Sequence, residues 1–399
     1  MRTRYISLIT LSILFIFCAG CGGGSSTTGA APSGPAPGAA PSTGTTITGV
    51  ASKGIIRGGT VNVFATPASG DTGGKILLKT TETDSSGEFS AKIGNYAGIV
   101  LIEVSGSQVY TNESNGSKES ISADAPLRAV QVVGSAGATV SVSVTPLTEL
   151  ATRKALTGPF LSEETIKSAN ALVSNLFQFD ITATRPVEPA VPAINAATQA
   201  QRDYTIALAA ISRLSVAAGS LNGAIDTFYH DLAATNRLSQ ATAGNFRQAA
   251  AAFLADSAHN LTGITATSPA LSDVGKYTGS LALATQGSTS APITSIQLTL
   301  TLPSGVTIKK DSNGAAMVAV SGVAERAAAP GINYIAPALN LAVVSWPGFG
   351  LGQFATVTYI AEPGIIPVDS DFKVTYQKIT GFDGTNDFDI PVSIVPVLP

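Results

Sequence analysis

Ile296-Gln297-Leu298-Thr299-Leu300-Thr301-Leu302-Pro303-Ser304-Gly305-Val306 decides the fold of the C-terminal third of this chain. Every second residue from Ile296 to Leu302 is branched and apolar, and every residue between them is polar. That period of two is the pattern of a strand with one face in a core and one in water. Pro303-Ser304-Gly305 then ends the strand, since proline lacks the amide and glycine opens the turn. Outward from it the same grammar recurs. Val306–Ile308 and Met317–Val320 flank Asp311-Ser312-Asn313-Gly314 and read as a hairpin. Leu341–Trp346, Phe354–Ile360 and the alternation Phe372, Val374, Tyr376 add further strands. Residues 275–399 therefore read as an antiparallel β-sandwich.

The N-terminal third follows the same rule. Val61-Asn62-Val63 and Val140–Val144 alternate, while Gly98-Ile99-Val100-Leu101-Ile102 is apolar throughout, as a strand covered on both faces requires. Turn clusters at Ser69-Gly70-Asp71, Asp84-Ser85-Ser86-Gly87 and Asn115-Gly116 separate the strands. Residues 45–144 are expected to form a first sandwich.

Between the two, residues 145–264 switch to a helical period. Thr145-Pro146 and Ser162-Glu163-Glu164 are N-terminal caps with proline and acids placed for the first turn. Ile166, Ala169, Leu172, Val173, Leu176 and Phe177 form one stripe. Tyr204, Leu208, Ile211 and Leu214, then Ile225, Phe228 and Leu232, then Phe246, Ala249, Ala250, Phe253 and Leu254 form three more. Pro186, Pro189 and Pro192 mark an extended loop, and residues 265–274 read as a linker. The expected architecture is multidomain, with two mainly antiparallel sandwiches flanking an α-helical bundle.

The N-terminus carries an address. Arg2 and Arg4 precede an apolar run from Ile6 to Phe17, too short to span a bilayer as a helix, and small residues lead to Cys21. Residues 1–20 read as a signal peptide. Residues 21–44 are almost wholly Gly, Ser, Thr, Ala and Pro after Cys21, a composition that buries no core and would reach about 25 Å as a flexible tether.

Phe17-Cys18-Ala19-Gly20-Cys21 resembles the lipobox of bacterial lipoproteins, with Cys18 where leucine is usual. The resemblance implies a diacylglycerol thioether and an N-acyl chain on Cys21. It places the protein in the bacterial cell envelope as an outer-membrane lipoprotein on the periplasmic or extracellular face. Cys18 would leave with the leader, so the mature chain would hold no other thiol.

Gly49-Val50, Gly58-Gly59-Thr60-Val61-Asn62-Val63 and Thr83-Asp84-Ser85-Ser86-Gly87-Glu88-Phe89 resemble the carboxypeptidase-regulatory-like, prealbumin-type sandwich repeats. That likeness implies a spacer or binding module, with Phe89 packed beside Val61 and Val63. The C-terminal segment resembles the cohesin-type domain. The residues that carry it are Ile296–Val306, Asn340–Ser345, Gly348–Val357 and Asp369–Val374. Cohesins bind dockerins, so the resemblance implies a dockerin-like protein partner.

Candidate chemistry is sparse. Only 12% of residues are charged and the formal net charge is −3, which leaves no basic patch for nucleic acid. His230 lies next to Asp231, but neighbours on a helix do not face each other, and His230 with His259 lacks a third metal ligand. Gly348, Gly350 and Gly352 read as a turn or bulge, since no helix follows to receive a phosphate. Asp383, Asp387 and Asp389, with Asn386, are candidate calcium ligands, and Asp84 with Glu88 a weaker pair. Trp346 and Phe349 are candidate binding aromatics, with Phe354 and Tyr359 on opposite strand faces by alternation. The expectation is a non-enzymatic display, binding or structural protein. The alternatives are a carbohydrate or matrix adhesin binding polysaccharide and, more remotely, an enzyme of unknown class in the helical region.

Overall fold

Strands open the chain because its β-branched residues alternate across a pleat. The computed structural model describes residues 44–67, 74–158 and 160–399. The cysteine at position 21, the tether to residue 43 and the turn at Ser69-Gly70-Asp71 lie outside them.

The first eight strands are β1 (Thr46–Ala51), β2 (Thr60–Ala65), β3 (Ile76–Glu82), β4 (Glu88–Lys92), β5 (Gly98–Thr111), β6 (Lys118–Ile121), β7 (Leu127–Val133) and β8 (Thr139–Val144). They form two sheets, β4-β1-β8 and β3-β2-β5-β6, with β7 also paired to β5. Ile47, Phe89 and Val142 from the first sheet meet Val61, Val63, Val100 and Ile102 from the second in one core. Phe89 thus packs where the sequence places it. Within the first sheet Gly49 pairs with Phe89 and Val142 on either side, and a Cβ there would sit 2.0 Å from the Val142 carbonyl oxygen and 2.7 Å from the Phe89 ring.

The unbroken apolar run of β5 has its reason in a second layer. Val100 and Ile102 face the sandwich core, whereas Leu101 turns the other way and packs with Val130, Leu161, Ile166 and Ala169. The last two belong to helix α2 (Glu163–Phe177), which follows α1 (Pro146–Ala155). Thr145 and Ser162 cap these helices, each in reciprocal hydrogen bonds with the residue three further on.

The other helices are α3 (Val191–Ala196), α4 (Gln199–Ala217), α5 (Leu221–Thr235), α6 (Gln240–Leu254) and α7 (Pro269–Ser272). Phe177 lies edge-on to Phe246 at 5.3 Å and 5.8 Å from Phe228 at the centre of their core. The expected extended loop ends early: Pro192 sits in the first turn of α3, where a missing amide costs nothing. The stretch 265–274 contains α7, and its Leu271 and Val274 are buried in the helical core.

From Tyr277 onward the chain is strand again: β9 (Tyr277–Gln286), β10 (Ile293–Thr301), β11 (Val306–Ile308), β12 (Val318–Val320), β13 (Ala328–Ile335), β14 (Ala338–Phe349), β15 (Gln353–Ala361), β16 (Lys373–Phe382), β17 (Asp387–Asp389) and β18 (Ser393–Val397). One sheet runs β13-β14-β10-β16-β17, the other β11-β15-β9-β18 with β12 also beside β15. Ile296, Leu298 and Leu300 face Phe354 and Val357 across their shared core.

Three expectations change here. Val306–Ile308 and Val318–Val320 do not pair with each other. Both run antiparallel to β15, end to end, at Ala361–Tyr359 and Val357–Ala355. The Asp311–Gly314 turn does close a short hairpin, with Lys310 bridged to Ala316 and the Met317 amide bonded to Lys309, but as an excursion within one interrupted edge strand. Phe354 and Tyr359 are both buried, because a register shift between Gln353 and Ala355 turns Phe354 inward. A second shift, opposite Thr299 and Leu300, separates Tyr376 from Phe372: Phe372 is core and Tyr376 is exposed.

Candidate functional site

The outer face of the sheet β13-β14-β10-β16-β17 is built by the same alternation that fills the core. Leu339, Leu341 and Val343 point inward, which leaves Asn340, Ala342, Val344 and Trp346 outward. Strand register then sets cross-strand rows. Asn333, Asn340, Thr299 and Tyr376 stand side by side, followed by Gly331, Ala342, Gln297 and Lys378. Ala328, Val344, Ser295, Thr380 and Asp389 make the third row. Beyond it Trp346 leans on Phe382, ring centroids 5.2 Å apart.

The chemistry of this face is aromatic at its ends and hydrogen-bonding in its middle. Trp346 is 75% exposed and Tyr376 51%. From the Tyr376 row to Trp346 the face extends about 20 Å along the strands, and a four-strand row is about 14 Å wide. Thr299 Oγ1 donates to Asn340 Oδ1 at 2.8 Å, and Ser295 and Thr380 share a hydroxyl contact at 3.0 Å. Asn333 and Gln297 spend no side-chain hydrogen bond among the described residues. Gly331, Ala328 and Ala342 keep the β13–β14 side of the face low.

The remaining candidates separate. Phe349 is a correction: at the end of β14 it is 7% exposed and packs in the sandwich core, so it offers no ring to a ligand. The cysteine at position 21 falls outside the described residues. Asp383 Oδ1 accepts from the amides of Thr385 and Asn386, both at 2.8 Å, and these bonds hold its carboxyl below the usual range. Asp387 and Asp389 are exposed on β17, and no group of three or more ligating side chains occurs among the described residues. Asp84 accepts from the amides of Ser86 and Glu88, while Glu88 pairs with Arg185. His230 is exposed on α5, and His259 lies in a turn after α6, 3.1 Å from Asp256. Gly348, Gly350 and Gly352 line the connection from β14 to β15.

A buried charged cluster has no local signal in the sequence. Lys53, in the turn after β1, is fully buried and donates to the hydroxyl of Ser212 on α4, which donates to Glu113. Lys53 Nζ stands 3.6 Å from Glu113 and 5.2 Å from the Tyr110 ring centre. Burial pushes the Lys53 pKa down against the opposing pull of Glu113 and Glu119. Burial also pushes the Tyr110 phenol up, helped by its bond to Glu119 at 2.5 Å. A lysine beside a serine hydroxyl can activate a nucleophile. Here Ser212 has no exposed surface, so no substrate atom reaches it in this conformation. What the cluster does is tie the first sandwich to α4. Arg128 of β7 does the same for α1, gripping Glu149 with two bonds of 2.8 and 2.9 Å.

No known protein-family profile matches the chain, and no curated protein matches it either. Among solved structures, it is similar to a non-cellulosomal cohesin from the hyperthermophilic archaeon Archaeoglobus fulgidus. The likeness has 11% identity and a TM-score of 0.19, covering 27% of this chain and 72% of that one. A likeness of that size settles neither fold nor partner.

Proposed function

We propose that the protein is a non-catalytic envelope lipoprotein that binds through the outer face of its C-terminal sandwich. The observation that carries this reading is Trp346, an indole three-quarters exposed on a folded sheet and steadied by Phe382. Tryptophan is over-represented among the residues that anchor binding surfaces, and Trp346 with Phe382 makes an aromatic pair on the outer face. Cys21 and the tether supply the anchoring half: a lipidated N-terminus would hold the folded part at a membrane and give it reach. The exposed ring also favours the adhesin reading over a purely structural role.

Mass spectrometry of the mature N-terminus tests the anchor, with a diacylated, N-acylated Cys21 as the expected product. An unmodified terminus elsewhere removes the lipoprotein half. Iodide quenching of Trp346 tests the face: envelope or matrix material should shield the indole. Undiminished quenching with every fraction removes the binding half.

A further inference from the structure

We infer that the ligand of this face is an uncharged polysaccharide, lying from the Tyr376 row toward Trp346. The inference rests on the reading of the face as a recognition surface and names what it takes. A sugar ring has two apolar C–H surfaces and a rim of hydroxyls. Aromatic faces carry negative quadrupole potential and attract those C–H groups, while amides and hydroxyls pair with the rim. The face offers both in sequence: Tyr376 at one end in a row with Thr299, Asn340 and Asn333, Trp346 with Phe382 at the other, and Gln297, Ser295 and Thr380 between.

Charge points the same way. Lys378 and, one step beyond the Tyr376 row, Lys373 are the cations at outward positions of β16, and Asp387 and Asp389 stand at the β17 edge, so the few charges are of both signs and match no polyanion. A protein partner is a poorer fit. Protein interfaces centre on desolvated apolar anchors with a polar rim. This face reverses that order, with rings at its two ends and, apart from Val344, small and polar residues in the two rows between.

Trp346 is the single tryptophan of the chain, so intrinsic fluorescence reads this site alone. The full-length chain in detergent is titrated with soluble xyloglucan, galactomannan and chitooligosaccharide, with alginate as the charged control. At least one neutral glycan is expected to shift the emission and slow migration in glycan-containing gels. Trp346→Ala and Tyr376→Ala should each weaken the retention by roughly tenfold or more, with thermal unfolding unchanged. Lys378→Ala should stay within roughly twofold.

The inference is overturned if no neutral glycan moves the emission, or if both aromatic variants are retained like the unaltered chain. Binding only to alginate, lost with salt or with Lys378→Ala, overturns it as well. Should the glycans fail while envelope material still shields Trp346 from iodide, the recognition face stands and the polysaccharide falls. If nothing shields it, both fall.

Discussion

Replacing Glu113 with glutamine should cost the protein far more than the loss of one hydrogen bond. Glu113 and Lys53 face each other at 3.6 Å with side chains 5% and 0% exposed. At an effective dielectric near 20, charges at that distance attract by about 4 to 5 kcal/mol. That attraction offsets the desolvation of two ions, so the intact pair contributes little net stability. Glu113→Gln keeps the shape and the hydrogen bond to Ser212 but takes the partner carboxylate from a dry ammonium, leaving it the pull of Glu119 alone. The expected loss is about 3 to 5 kcal/mol. Adding Lys53→Met should recover most of it, because the methionine fills the channel and no buried charge remains.

The pH dependence gives this reasoning a sign. Burial already lowers the folded-state pKa of Lys53 below its ordinary 10.5, and Glu113 opposes that fall. In the variant the folded pKa drops further, so the unfolded chain binds the extra proton over a wider range. Stability then rises with pH between the folded pKa and 10.5. The deficit of Glu113→Gln relative to the unaltered chain should be largest near neutral pH and shrink toward pH 10. Hydrogen exchange on peptides from β1, β5 and α4, across a urea series, reads both quantities. A loss below about 1 kcal/mol, or a deficit that grows with pH, would refute the picture of a dry, charged pair.

Four further outcomes follow from packing and caps. Phe354→Ala should destabilise the C-terminal sandwich by about 3 to 5 kcal/mol in denaturant titration, since the ring is fully buried by the β15 bulge. Gly49→Ala should cost about 1 to 3 kcal/mol by the same measurement, because its methyl would collide with the Val142 carbonyl and the Phe89 ring. Thr145→Ala should lower stability by about 1 to 2 kcal/mol, removing the α1 cap and a 2.6 Å bond to the buried Tyr204 hydroxyl. Trp346→Ala should move the melting midpoint almost not at all, a change within about 0.5 kcal/mol, since the indole is largely in water.

Local physics was readable in the chain. Thr145 and Ser162 announce their helices because a cap acts on amides two and three residues away. Ile296, Leu298 and Leu300 announce their sheet because each inward position carries its own apolar side chain. Phe354 and Tyr376 defeated the same rule, since one extra residue in a strand reverses every face beyond it, and nothing in the residue types marks the extra one. The Lys53–Glu113–Ser212 cluster was out of reach for another cause. Its members lie 99 and 159 residues apart, and a turn lysine and two loop or helix polars look like ordinary surface until the fold encloses them.

The candidate site shows where such reading ends. Trp346 was within reach: counting from Leu341 and Val343 puts position 346 on the outer face, whereas the residue type alone favours burial. Its neighbours were not. Hydrophobic periodicity speaks only for the side of a strand that must be apolar, and any polar residue satisfies the other side equally. Asn333, Asn340, Thr299 and Tyr376 become one row only after three strand registers and a bulge are known. A recognition face made of outward residues is therefore written in the registers, and the core residues that set those registers are its indirect determinants.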